Sequence, residues 1–115
     1  MRTLLIMLLL CAFTTASSQI VVTHFNASWN KHNKADWVGE LKGCEITYVD
    51  ISNSPLICKK HKIKAVPTII VFSKGKEVHR VHGGIRFRVN KEEIEGDLQE
   101  IILRLQPYSA KNPVL

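Results

Sequence analysis

The stretch Trp29-Asn30-Lys31-His32-Asn33 is the first place in this chain to look for chemistry, because it follows an apolar, strand-like run at a tight turn. His32 beside Lys31 resembles acid–base equipment. No adjacent serine, cysteine or carboxylate pair gives it a nucleophile to activate. Two cysteines, Cys44 and Cys58, lie downstream. They could close a disulfide if the protein is exported and the geometry allows it. Otherwise Cys58, within a predicted helix, is a buried free thiol acting as a small hydrophobe, which is the commoner outcome. His79 and His82 are three residues apart on a predicted strand, so they face opposite sides and do not share a metal easily. With His24, His32 and His61 dispersed, nothing calls for zinc or another cofactor. Asn26-Ala27-Ser28 fits the N-glycosylation pattern, but at a strand end beside a turn it reads as a structural asparagine.

The chain has 115 residues and a formal net charge of +6, enough for one small core. Its start is set apart: Met1-Arg2 is positive, Leu4 to Phe13 is apolar, and Thr14 to Ser18 is small and polar. That is the layout of a secretory signal peptide over residues 1–18, with cleavage expected after Ala16 or Ser18. The apolar run is shorter than the roughly 20 residues a membrane helix needs. If the leader is retained it becomes a membrane anchor; if cut, the protein is secreted, periplasmic or in an endomembrane lumen. The densest basic cluster, Lys59-Lys60-His61-Lys62-Ile63-Lys64, has no interleaved aromatics for base stacking. It reads as a solvated helix end and loop, and no nucleic-acid partner is expected.

The elements that must position these residues follow from local pattern. Ile20 to Asn26 is β-branched and apolar on both faces, which suits a central strand. Asn33 can cap a helix running to about Lys42, ended by Gly43. Glu45 to Ile51 is a second strand. Ser54 and Pro55 start a short helix reaching about His61. Thr68 to Ser73, a Lys74-Gly75 turn and Glu77 to His82 form a hairpin. Gly83-Gly84 offers backbone freedom for a bulge or a close approach. Asn90-Lys91-Glu92-Glu93 is a capping box, and Ile94, Leu98, Ile101, Ile102 and Leu105 form an apolar helical stripe. Residues 107–115 are expected to be a loose tail. The order β-α-β-α-β-β-α predicts an α/β three-layer sandwich with one parallel crossover and one antiparallel hairpin.

Phe25-Asn26-Ala27-Ser28-Trp29-Asn30-Lys31-His32-Asn33-Lys34, paired with the distant Val66-Pro67-Thr68, resembles the thioredoxin family. In that family Phe-Trp-Ala-x-Trp-Cys-Gly-Pro-Cys-Lys precedes a Val/Ile-Pro-Thr with a cis proline. Val49-Asp50-Ile51, Pro55 and Ile63-Lys64-Ala65-Val66-Pro67-Thr68 also fall in register with the family run. The resemblance covers roughly Ile20 to Leu105 and implies a thioredoxin-like domain over residues 19–106, with a mixed four-stranded sheet lacking the family's first strand and helix. The sheet would then have an open edge, through which an oligomer or larger complex could form.

The departures lie in the chemistry. Asn30 and Asn33 stand where the family has its two redox cysteines, and an amide neither attacks a disulfide nor resolves one. His24 replaces a buried acid and is expected to be a neutral core histidine. The resemblance therefore implies a redox-inactive module that binds a protein or peptide. Trp29, Asn30, Lys31, His32, Asn33, Val66, Pro67 and Thr68 are the candidate binding residues. The alternatives are a divergent thiol-disulfide oxidoreductase using Cys44 or Cys58, and a structural subunit of a larger complex.

Overall fold

The computed structural model describes residues 19–106; the expected leader and the C-terminal tail lie outside the described residues. Four strands, β1 (Ile20–Asn26), β2 (Glu45–Asp50), β3 (Thr68–Ser73) and β4 (Lys76–His82), form one sheet in the order β2-β1-β3-β4. β2 runs parallel to β1, whereas β3 runs antiparallel to both β1 and β4. Helix α1 spans Pro55–His61 and α2 spans Lys91–Leu105. Central β1 is buried along nearly its whole length, as its apolar pattern requires.

The two sheet faces divide the side chains by alternation. Ile20 and Val22 of β1, with Ile69 and Val71 of β3, meet Leu98 and Ile102 of α2 in one buried cluster that also takes in Val38 and Leu41. On the opposite face the His61 ring of α1 sits between Phe25 and Phe72, with centroids 5.2 and 5.8 Å away. The result is the expected α/β sandwich.

One expected element is different. The helix from Asn33 to Lys42 is replaced by two short 3₁₀ segments, Ser28–Asn33 and Asp36–Glu40. Asn30 leaves helical geometry, with φ −110° and ψ 19°. The Ala35 N–H, which an α-helix would direct to Lys31, instead donates to His24 Nε2 at 3.0 Å. The Lys31 carbonyl accepts from Lys34 N–H at 3.1 Å, an i+3 bond. The segment is rich in weak helix formers, and a tertiary acceptor removes one rung of the ladder.

Local signals elsewhere match. Lys74 and Gly75 have φ of +53° and +81°, the two positive values a type I′ hairpin turn demands. Asn90 caps α2, its side chain accepting from Glu92 N–H at 3.0 Å. Ser54 takes the N-cap position of α1 but its side chain makes no capping bond; Pro55 begins the helix. The other end of α1 is held from β4, where Arg80 donates to the carbonyls of His61 at 2.6 Å and Lys62 at 3.0 Å. Glu77 fixes that guanidinium through two bonds of 2.7 and 2.9 Å. β2 is an edge strand among the described residues, with Glu45, Thr47, Tyr48 and Asp50 exposed. No helix among the described residues is long and apolar enough to cross a membrane.

Candidate functional site

The turn after β1 is organised by three asparagines. Asn30 is 2% exposed. Its amide nitrogen donates to Asn26 Oδ1 at 3.0 Å and to the Phe87 carbonyl at 2.9 Å. Its amide oxygen accepts from Asn33 Nδ2 at 2.8 Å, and its main-chain carbonyl accepts from Asn26 Nδ2 at 3.0 Å. Both side-chain protons of Asn30 are therefore used, and the buried amide is satisfied. Asn26, buried and bonded at both ends, is structural, which leaves no free amide for a glycan.

The Val66–Pro67 peptide, just ahead of β3 where Thr68 pairs with Phe25 near the end of β1, is cis. Val66 and Pro67 are buried, and no hydrogen bond joins the Val66 N–H or carbonyl to another described residue. The segment after β4 closes over the proline: Gly83 N–H donates to the Pro67 carbonyl at 2.7 Å. A Cβ on Gly83 would lie 2.7 Å from the Val66 carbonyl oxygen and 2.9 Å from the Arg88 nitrogen. Glycine is thus required by close approach of three backbone stretches. Thr68 is buried, its hydroxyl donating to the Ala65 carbonyl at 2.6 Å.

The outer surface of this junction is apolar and basic. Trp29 is 62% exposed and meets the edge of Phe87 at 5.3 Å, with the rings at 85°. Phe87 is held at φ +56°, and its carbonyl is the one Asn30 anchors. Ile85 is 96% exposed beside it. Lys31, His32, Arg86 and Arg88 surround these three side chains in sequence and are exposed. Among the predicted binding residues, Trp29, Lys31 and His32 therefore reach solvent. Asn30, Val66, Pro67 and Thr68 shape the face from beneath, and Asn33 is half-buried between the two groups.

Two titratable groups flank the turn. His24 is buried, and its Nε2 accepts from Ala35, so the ring is neutral with its proton on Nδ1. Burial pushes its pKa below the ordinary 6.5; a hydrogen bond to its own backbone opposes, Lys34 lowers it further and Asp36 raises it. Asp50 accepts from Ser28 Oγ at 2.5 Å, from Ser52 Oγ at 2.6 Å and from Ser52 N–H at 2.9 Å. These bonds to the charged form, Ser28 first, pull its carboxyl down to about 2. The Lys34 ammonium lies 4.3 Å over the Tyr48 ring. His24, Lys34, Tyr48 and Asp50 help line a cavity of about 350 Å³ at the end of β1 and β2.

The remaining candidates do not join this site. Cys44 and Cys58 are free thiols. Cys44 packs against the core cluster under α2, while Cys58 lies on α1 across the sheet. Burial pushes the Cys44 thiol pKa up, away from thiolate reactivity. His79 lines a cavity against α2 and His82 one on the α1 side, as their spacing on a strand dictates. Among the described residues no three His, Cys, Asp or Glu side chains group as metal ligands.

Phe87, Arg86 and Arg88 were not singled out from the sequence. The only signal was Gly83-Gly84 just before them, which marks a backbone approach without saying what is approached. Asn26 carried a clearer signal: an amide closing an apolar strand needs a buried partner.

Comparison with known proteins agrees with this geometry. The family model for thioredoxin matches residues 12–99. Thioredoxin from Fasciola hepatica is 26% identical, with a TM-score of 0.58 over 85% of this chain and 91% of that one. A mutant thioredoxin from Halobacterium salinarum is 18% identical, with a TM-score of 0.59 over 78% and 77%. A designed protein is 21% identical, with a TM-score of 0.55 over 77% and 81%. The last two likenesses speak to the fold alone. No curated protein matches this chain.

Proposed function

The chain belongs to the thioredoxin family, and from that membership we propose a redox-inactive, exported binding module that holds an extended protein segment on the surface around Trp29 and Pro67. One observation carries the reading. Asn30 and Asn33, which by the sequence resemblance stand where the family has its two redox cysteines, are bonded to each other at 2.8 Å. Thiol–disulfide exchange needs a thiolate and a resolving thiol, and carboxamides supply neither. Cys44 is no substitute, because it packs against the core with its pKa raised. Peptide binding is supported by the exposed Trp29 and by the Val66 backbone groups, which have no described partner and could pair with an extended strand. Export is supported by the leader-like composition of residues 1–18.

Insulin reduction with dithiothreitol tests the reading directly. The purified protein is expected to give no rate above the reagent alone. Catalytic turnover that disappears in a Cys44→Ser or Cys58→Ser variant would overturn it in favour of an oxidoreductase.

A second reading rests on a separate observation, the edge of β2, which pairs with no outer strand among the described residues. A strand from a second protein could complete that edge, making the chain a subunit of a larger assembly. Analytical ultracentrifugation of the native protein checks this, and a monomer across the accessible concentration range would exclude self-assembly.

A further inference from the structure

We propose that the segment held on this face is acidic: an extended peptide with Asp or Glu flanking an apolar residue. The inference rests on the binding reading above and deepens it. Hydrogen bonds link three loops near the cis proline: residues 27–35 to 83–90 through Asn30 and the Phe87 carbonyl, and 83–90 to 62–67 through Gly83 N–H and the Pro67 carbonyl. Together they contain Lys31, Lys34, Lys62, Lys64, Arg86 and Arg88, and no Asp or Glu. Lys34 has a carboxylate neighbour, Asp36 at 3.7 Å. Lys31, Lys64, Arg86 and Arg88 form no ion pair among the described residues. Four acidic residues pair elsewhere, Glu77 with Arg80, Glu40 and Glu95 with Lys91, and Glu100 with Arg104, while Glu92 lines a cavity with Lys34 and Arg88, and Glu77 one with Lys62 and Lys64.

The cations neighbour exposed apolar side chains along the chain. Trp29 and Phe87 pair edge to face in solvent, Lys31 lies two residues from Trp29, Arg86 and Arg88 flank Phe87 in the chain, and the Asn30 bond to the Phe87 carbonyl locks the two loops together. A partner that covers the apolar pair must bring an apolar side chain, and one that neutralises the cations must bring carboxylates. A peptide suits the site better than a nucleic acid. Trp29 and Phe87 present an edge-to-face pair and Ile85 is aliphatic, so there is no row of ring faces for successive bases.

Fluorescence anisotropy with labelled peptides of equal length and one shared apolar centre tests this on the whole purified protein. The flanks are Glu in one peptide, Gln in the second and Lys in the third. A single-stranded oligonucleotide of the same net charge as the first is the control. The Glu peptide is expected to bind about tenfold tighter than the Gln peptide in low salt, with the Lys peptide weakest. That preference should collapse near 1 M salt. Arg86→Glu combined with Arg88→Glu should erase it while leaving the circular dichroism unchanged. Equal binding of the Glu and Gln peptides, lost in Trp29→Ala, would overturn the acidic preference and keep the binding face. Failure of every peptide to bind would remove both. Oligonucleotide binding as tight as that of the Glu peptide would overturn the peptide assignment.

Discussion

Asn33 donates its side-chain amide to the Asn30 amide oxygen across 2.8 Å, so two side chains of the turn after β1 are joined by a hydrogen bond. Asn30 also ties the turn to Asn26 of β1 and to the Phe87 carbonyl of the loop before α2. The asparagine pair is a structural bracket. The bracket holds together the loops that carry Trp29 and Phe87.

Loss of that bracket should be measurable. Asn30→Ala would leave the Phe87 carbonyl and Asn26 Oδ1 without a donor in a buried place, and should destabilise the fold by about 3 kcal/mol. Asn33→Ala removes a single, half-buried donor and should cost about 1 kcal/mol. Urea unfolding of the two variants checks the ranking, which a loosely held turn would not produce.

Stability should depend on pH in two separate windows. The folded-state pKa of His24 lies below 6.5, so the unfolded chain takes up the proton first. Its contribution is complete above about pH 6.5 and declines as pH falls below that value, by at most about 1.4 kcal/mol per pH unit. His24→Gln should flatten this limb. Asp50 behaves as a depressed carboxylate, at about 2 against 3.8. Its contribution is present above pH 3.8 and is lost as pH falls towards 2, a limb that Asp50→Asn should remove. Chemical denaturation across pH 2–8 reads both.

Arg80→Ala should unseat the end of α1. The guanidinium satisfies the carbonyls of His61 and Lys62 while Glu77 orients it. Loss of these partly exposed bonds should cost roughly 1–2 kcal/mol. Arg80→Lys should fail to restore it, because an ammonium lacks the fork that spans two carbonyls and a carboxylate. Hydrogen exchange should show α1 amides losing protection while α2 amides keep theirs.

Gly83→Ala should disturb the cis-proline face from behind. The added methyl would meet the Val66 carbonyl oxygen at 2.7 Å and the Arg88 nitrogen at 2.9 Å, both main-chain atoms. Overpacking of this kind should cost about 1–3 kcal/mol. Gly84→Ala, with open space around its Cβ, is the matched control and should be near neutral. Thermal unfolding of the pair separates the two glycines.

The sequence by itself determined the framework. A run apolar on both faces over Ile20 to Asn26 dictated a central strand, Lys74-Gly75 a two-residue hairpin, and Asn90 with its apolar stripe the helix of the opposite layer. Each is a local property, set by side-chain period, φ preference or capping. Residue type alone likewise put carboxamides, not thiols, at Asn30 and Asn33. The tertiary structure decided what lay between these elements. Residues 28–40 became 3₁₀ segments because His24, on the neighbouring strand, accepts the Ala35 N–H. Asn30 became buried because a carbonyl 57 residues further on needed a donor. Arg80 became a helix cap because the hairpin brings it beside α1. Such bonds join groups far apart in sequence, and neither periodicity nor propensity carries information about a partner that only the folded chain brings within reach.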